Sequence, residues 1–183
     1  MSSRAELIAT ARRMLALGLV TGTFGNVSCR VDDRILITPS GLDYAIMRPE
    51  DLVFLEPSGT VAEGTRPPSS EYRLHVAIYR QLSAARAIVH THSPHAIACG
   101  DLLDELPISD ESTLRGPVPV APFRPPGTQK LADGAVELLA AREANAVILR
   151  GHGVVGVGRD LDEALEVCVE VERLAGPLPE APG

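Results

Sequence analysis

Ala87–His95 reads AIVHTHSPH, and the rest of the chain is arranged about it. A short β-branched run carries His90 and His92 two apart, and Ser93-Pro94 is an N-cap and N1 pair for a helix running to about Asp101. Side chains alternate across a strand, so His90 and His92 project one way and Val89 and Thr91 the other. Two imidazoles side by side suit a metal, and a catalytic zinc usually takes three protein ligands with a fourth position open. His152 is the best third candidate, because Gly151-His152-Gly153 directly follows a second buried-looking strand, AVILR at 146–150. The spacing is equally compatible with two half-buried strand histidines and a loop histidine, since HxH is weakly specific. His95, in the first helical turn, is as much a structural candidate as a ligand.

The bulk properties narrow the classes. A chain of 183 residues fits one domain with a core that needs no disulfide staples. Residues 1–176 are expected to form it, and PLPEAPG at 177–183 reads as a flexible tail. Hydrophobic content of 45% with 22% charged residues is that of a globular protein. A net charge of −7 argues against a nucleic-acid partner. No apolar run approaches the ~18 residues of a membrane span. Cys29, Cys99 and Cys168 are odd in number and far apart, which suits reduced thiols in a cytoplasmic protein.

Upstream, residues 3–17 repeat apolar positions at helical spacing and stop at Gly18. Gly22-Thr23-Phe24-Gly25-Asn26 is a glycine-punctuated loop ahead of a hairpin, Val27–Val31 and Arg34–Thr38, that ends in Thr38-Pro39-Ser40-Gly41. Plain turn chemistry accounts for either loop taken alone. A second hairpin spans 52–63. Pro67-Pro68-Ser69-Ser70-Glu71 opens a helix with Leu74, Ile78 and Leu82 on one face, and Glu71 is expected in its first turn. The two hydroxyls beside free helix N–H groups suit capping and also suit an anion. The spacing permits a Glu71/His75 metal pair, or a His75 that packs or hydrogen-bonds on the helix flank.

Downstream, residues 104–127 hold six prolines and two glycines with little periodicity beyond a short strand at Val118–Ala121. Such a segment is an active-site loop or a subunit contact. Thr128 caps a helix to about Arg142, strands follow at 146–150 and 154–157, and Asp160-x-x-Glu163 starts a last helix that stops at Gly176-Pro177.

Gly25-Asn26-Val27-Ser28, Thr38-Pro39-Ser40-Gly41, Pro68-Ser69-Ser70-Glu71, His90-Thr91-His92 and Gly151-His152-Gly153, in this order, resemble the class II aldolase/adducin head family over about residues 5–175. Within it the pattern is most similar to members that cleave L-fuculose 1-phosphate. The resemblance implies a three-layer α/β/α fold with a mainly antiparallel central sheet, in a homotetramer with active sites at subunit interfaces. It implies Zn2+ on His90, His92 and His152, with Glu71 as catalytic acid/base that also touches the metal when no substrate is bound. Gly25, Asn26, Ser40, Gly41, Ser69 and Ser70 are implied to hold the phosphate of a small phosphorylated ketose. Cleavage between C3 and C4 leaves an enediolate whose charge a divalent zinc stabilises as a Lewis acid.

One departure matters. The family's fuculose-phosphate aldolases use a tyrosine from the middle loop of a neighbouring subunit and another near the C-terminus, whereas the tyrosines here are Tyr44, Tyr72 and Tyr79. The half of the site that selects the electrophile is therefore different or missing. Same-family decarboxylation or dehydration of a sugar phosphate, and a non-catalytic adducin-like binding module, are the alternatives to an aldol cleavage.

Overall fold

The computed structural model describes residues 3–109 and 111–176, so the expected tail at 177–183 lies outside the described residues. The first helix, α1 (Ser3–Ala16), buries Leu7, Ile8, Ala11 and Met14 on one face. It is followed by the hairpin β1 (Asn26–Val31) and β2 (Arg34–Ile37), then β3 (Val53–Leu55) and β4 (Val61–Glu63). Next come α2 (Tyr72–Gln81), β5 (Ala87–Thr91), α3 (Pro94–Leu102), β6 (Glu105–Leu106) and β7 (Val118–Ala121). The chain continues through α4 (Gln129–Ala141), β8 (Ala146–Leu149), β9 (Gly153–Gly158) and α5 (Leu161–Ala175).

The strands form one sheet in the order β4-β3-β2-β1-β5-β9-β8-β7-β6. Every neighbouring pair is antiparallel except β7 with β8. Helices cover both faces because the strands bury both sets of alternating side chains. On one face Leu7, Ala96 and Leu165 of α1, α3 and α5 pack on Val27, Val89 and Val154. On the other, Leu74 of α2 and Leu131 of α4 pack on Ile35, Ile88 and Val155. Each fully buried side chain of this size contributes about 1.5–3 kcal/mol, and these layers hold the polar residues described below in place. The three-layer α/β/α arrangement with a mainly antiparallel sheet is the one expected from the sequence.

Several local expectations hold in their chemistry. Thr128 accepts the Leu131 N–H at the start of α4, and Asp160 accepts that of Glu163 at the start of α5. Others are corrected. Helix α2 begins at Tyr72, which puts Glu71 at its N-cap and not in its first turn; the carboxylate caps nothing and turns inward. The Ser93 hydroxyl does not cap α3 and bonds Thr91 Oγ1 at 2.7 Å instead. The proline-rich segment includes β6, two residues that pair with β7 and that carried no periodic signal.

Candidate metal centre

Strand β5 lies at the middle of the sheet, and His90 is flanked by Asn26 of β1 and Val155 of β9. His90 is fully buried, on the face covered by α2 and α4. Its Nδ1 lies 2.9 Å from the Val154 carbonyl. A carbonyl can only accept, so Nδ1 carries a ring proton and Nε2 is the nitrogen turned toward the cluster. His92 follows where β5 ends, its backbone N–H donating to the Leu19 carbonyl at 3.0 Å. The Phe24 ring stacks on the His92 imidazole at 5.2 Å and 25°.

His152 enters from the β8–β9 turn, where Gly151 takes a left-handed φ of 63°. The three rings meet, with centroids 5.0 Å apart for His90 and His92, 4.8 Å for His90 and His152, and 5.1 Å for His92 and His152. Glu71 closes the group from the start of α2. Its Oε2 lies 2.9 Å from His90 Nε2 and its Oε1 3.3 Å from His152 Nε2. One ligand atom from each of the four residues falls within 4.8 Å of all the others.

This donor set fits a divalent cation. Glu71 Oε1, His90 Nε2 and His152 Nδ1 are buried without a hydrogen bond, and buried polar atoms are rarely left so. In particular, His90 Nε2 and Glu71 Oε2 stand 2.9 Å apart, a contact that needs a proton or a cation between the two atoms. Burial pushes the His92 imidazole down to about 3, with His90 and His152 adding to the effect. Burial alone would raise Glu71, but His90 and His152 outweigh it and hold the carboxyl well below its ordinary range. His92 is thus neutral and Glu71 ionised at neutral pH, the protonation states that metal ligation needs.

Beside the cluster opens a cavity of about 330 Å³. Gly25, Asn26, Ser40, Gly41, Ser69 and Ser70 all line it, together with Glu71, His92 and His152. Two of the loops in its wall are tied together. Pro39 bridges Pro68, Ser40 N–H donates to Pro67, and Ser69 N–H donates to Thr38. The Ser69 hydroxyl in turn accepts the Glu71 N–H at 3.3 Å. Gly25 cannot be another residue here: its φ is 76°, and a Cβ would stand 2.7 Å from the His90 carbonyl oxygen. The Tyr44 hydroxyl anchors this turn from behind through the Phe24 and Gly25 carbonyls.

Two candidates fall outside the cluster. His95 is exposed and pairs with Glu172 at 2.9 Å. His75 is fully buried and bonds Ser28 Oγ at 2.6 Å and the Asn26 side chain, so it hydrogen-bonds on the helix flank and forms no metal pair with Glu71. The sequence reading missed Phe24 and Pro126 as pocket walls. It also missed the link from His75 to Asn26, although buried polar residues at period two in β1 (Asn26, Ser28) and one turn apart in α2 (His75, Tyr79) were a signal for it.

The sequence profile of the Class II Aldolase and Adducin N-terminal domain matches residues 5–176. The chain is 40% identical over 173 residues to the 5-deoxy-D-ribulose 1-phosphate aldolase of Bacillus thuringiensis serovar kurstaki, covering 92% of this chain and 80% of the relative. It is 37% identical to the L-fuculose phosphate aldolase of Haemophilus influenzae, covering 94% and 82%. A solved L-fuculose 1-phosphate aldolase superposes with a TM-score of 0.89 at 32% identity, covering 96% of this chain and 84% of that one.

Proposed function

We propose, from the premise that this chain belongs to the class II aldolase and adducin N-terminal domain family, that it is a zinc-dependent aldolase acting on a small phosphorylated ketose. The reaction is the reversible cleavage of a substrate such as L-fuculose 1-phosphate or a 5-deoxyribulose 1-phosphate into dihydroxyacetone phosphate and an aldehyde. The observation that carries this reading is the convergence of His90, His92, His152 and Glu71 ligand atoms within 4.8 Å beside a cavity lined by Gly25, Asn26, Ser40, Gly41, Ser69 and Ser70. An adducin-like module without catalysis would have no use for the unpartnered nitrogens buried on His90 and His152.

In this reading His90, His92 and His152 hold the zinc, with Glu71 as a fourth contact until substrate arrives. The bound zinc supplies Lewis-acid stabilisation for the negative charge that C3–C4 cleavage leaves on the three-carbon half. Gly25, Asn26, Ser40, Gly41, Ser69 and Ser70 hold the phosphate, so binding energy far from the reacting bond serves positioning. Glu71, ionised and within reach of the cavity, moves the carbon-bound proton. In the synthetic direction it takes the proton from the hydroxymethyl carbon of dihydroxyacetone phosphate, and in cleavage it delivers a proton to that carbon, balanced by the one the C4 hydroxyl gives up as the aldehyde forms. Tyr44 and Tyr79 are buried and engaged, so neither serves the aldehyde half.

We propose further that the assembly is a homotetramer with sites at subunit boundaries. Phe24 and Phe123 support this: Phe24 is 58% exposed against the cluster and Phe123 is 56% exposed beside Gly151. The test combines metal analysis of the purified protein, light scattering, and release of dihydroxyacetone phosphate from both ketose phosphates. About one zinc per chain, lost in His92→Ala, together with cleavage of either substrate is the expected result. Protein that neither takes up zinc nor gains thermal stability from it ends the proposal.

A further inference from the structure

Behind Glu71 runs a line of buried polar groups of which, beyond Glu71, only Asn26 reaches the cavity. Asn26 Nδ2 lies 3.2 Å from Glu71 Oε2, and the Asn26 oxygen is hydrogen-bonded to His75 Nε2. His75 Nδ1 lies 2.6 Å from Ser28 Oγ, which lies 2.9 Å from the Tyr79 hydroxyl. All five residues are 5% exposed or less. Ser28, His75 and Tyr79 do not line the cavity.

We infer that His75 is a positioning residue for Glu71, acting through Asn26 along a hydrogen-bond chain whose direction the carboxylate sets. The inference rests on the reading of Glu71 as the group that moves the proton. The Asn26 amide turns its NH2 toward the Glu71 carboxylate and its oxygen toward His75. That oxygen also only accepts, so His75 carries its proton on Nε2 and leaves Nδ1 bare. Ser28 must then donate to Nδ1, and Tyr79 must donate to Ser28. Reversal of any one link sets two donors or two acceptors face to face in a buried site, where an unpaired polar group is costly.

His75 is the link that holds the amide. Without its N–H, the Asn26 side chain can rotate and present its oxygen to the carboxylate, and Glu71 then turns away from the reacting carbon. The chain also spans a joint between elements, from Asn26 and Ser28 on one face of β1 to His75 and Tyr79 on one face of α2. It therefore orients Glu71 relative to the strand that flanks His90.

The test has two arms. In the first, histidine NMR of the wild type at neutral pH, with and without zinc, is expected to show His75 protonated at Nε2 and bare at Nδ1. The opposite tautomer, or a doubly protonated ring, overturns the inference. The second is a double-mutant cycle on ketose-phosphate cleavage. His75→Leu is expected to lower kcat roughly 10–100-fold with zinc content unchanged. On a Glu71→Gln background the same change should cost nothing more, and an equal loss on both backgrounds overturns the inference. His75→Gln, whose side-chain amide can still donate to Asn26, should restore most of kcat. If His75→Leu fails to fold, the tautomer and His75→Gln measurements decide the matter. A wild type that lacks zinc and activity would sink the aldolase reading, whereas the tautomer arm would still judge the chain.

Discussion

Gly153→Ala tests how the centre is built. Gly153 opens β9 beside the end of β5, and a Cβ there would stand 2.0 Å from the Thr91 carbonyl oxygen and 3.1 Å from His90 Cε1. Carbon and oxygen do not ordinarily approach closer than about 3.3 Å, so the two strands would have to part by about 1.3 Å. The obstacle is backbone, in the middle of the sheet, so no side chain can swing aside. Overpacking a core costs about 1–3 kcal/mol, and the upper end applies here. At this chain length that is a fall in melting temperature of roughly 6–12 °C. The displacement also separates His152 from His90, and misplacing a catalytic group by about 1 Å can cost ~100-fold in rate. Thermal unfolding and zinc titration of the purified variant measure both effects. A variant with the wild-type melting temperature and wild-type zinc affinity would refute the claim that close contact between β9 and β5 sets the metal geometry.

Other outcomes follow from the same structure. Gly134→Ala is the opposite case: Gly134 lies inside α4 with nothing within 4 Å of the added Cβ, so stability should rise by about 0.5–1 kcal/mol in a denaturant titration. Burial and the nearby His90 push His75 down to about 3, while an unfolded histidine titrates near 6.5, so the unfolded chain binds the extra proton between those values. Stability is therefore lost as pH falls through that window, and the wild-type slope should exceed that of His75→Leu by about 1.4 kcal/mol per pH unit. Phe24→Ala uncovers the stacked face of His92, whose depression to about 3 is caused first by burial, so NMR titration of zinc-free protein should find His92 shifted up. An unmoved His92 would show that Phe24 does not shield it.

The site was legible in the sequence where chemistry and periodicity coincide. His90 and His92 two apart on a strand must share a face, and glycines on either side of His152 mark a turn where backbone comes close. Most strands were legible because they alternate or run apolar, Thr128 and Asp160 announce their helices, and the three-layer arrangement followed from the family resemblance. Glu71 was placed one position too far along because Pro67-Pro68-Ser69-Ser70 looks like a helix start; the loop is held instead by backbone bonds to residues 38–40, a pairing across some thirty positions that no local pattern encodes. Strand β6 was invisible for a similar reason, since two residues carry no period and its pairing depends on where β7 already lies.

The link from His75 to Glu71 belongs to a third kind. Its residue types are present in the sequence at strand and helix periods, but donors and acceptors acquire a direction only once one end of the line is fixed. That end is the Glu71 carboxylate, held ionised against the cost of burial by His90 and His152. Positive charge at the centre, on these rings when protonated or on a cation they hold, therefore acts beyond the centre. By keeping Glu71 charged, it determines which way the Asn26 amide faces, and hence which tautomer His75 must adopt on the far side of it.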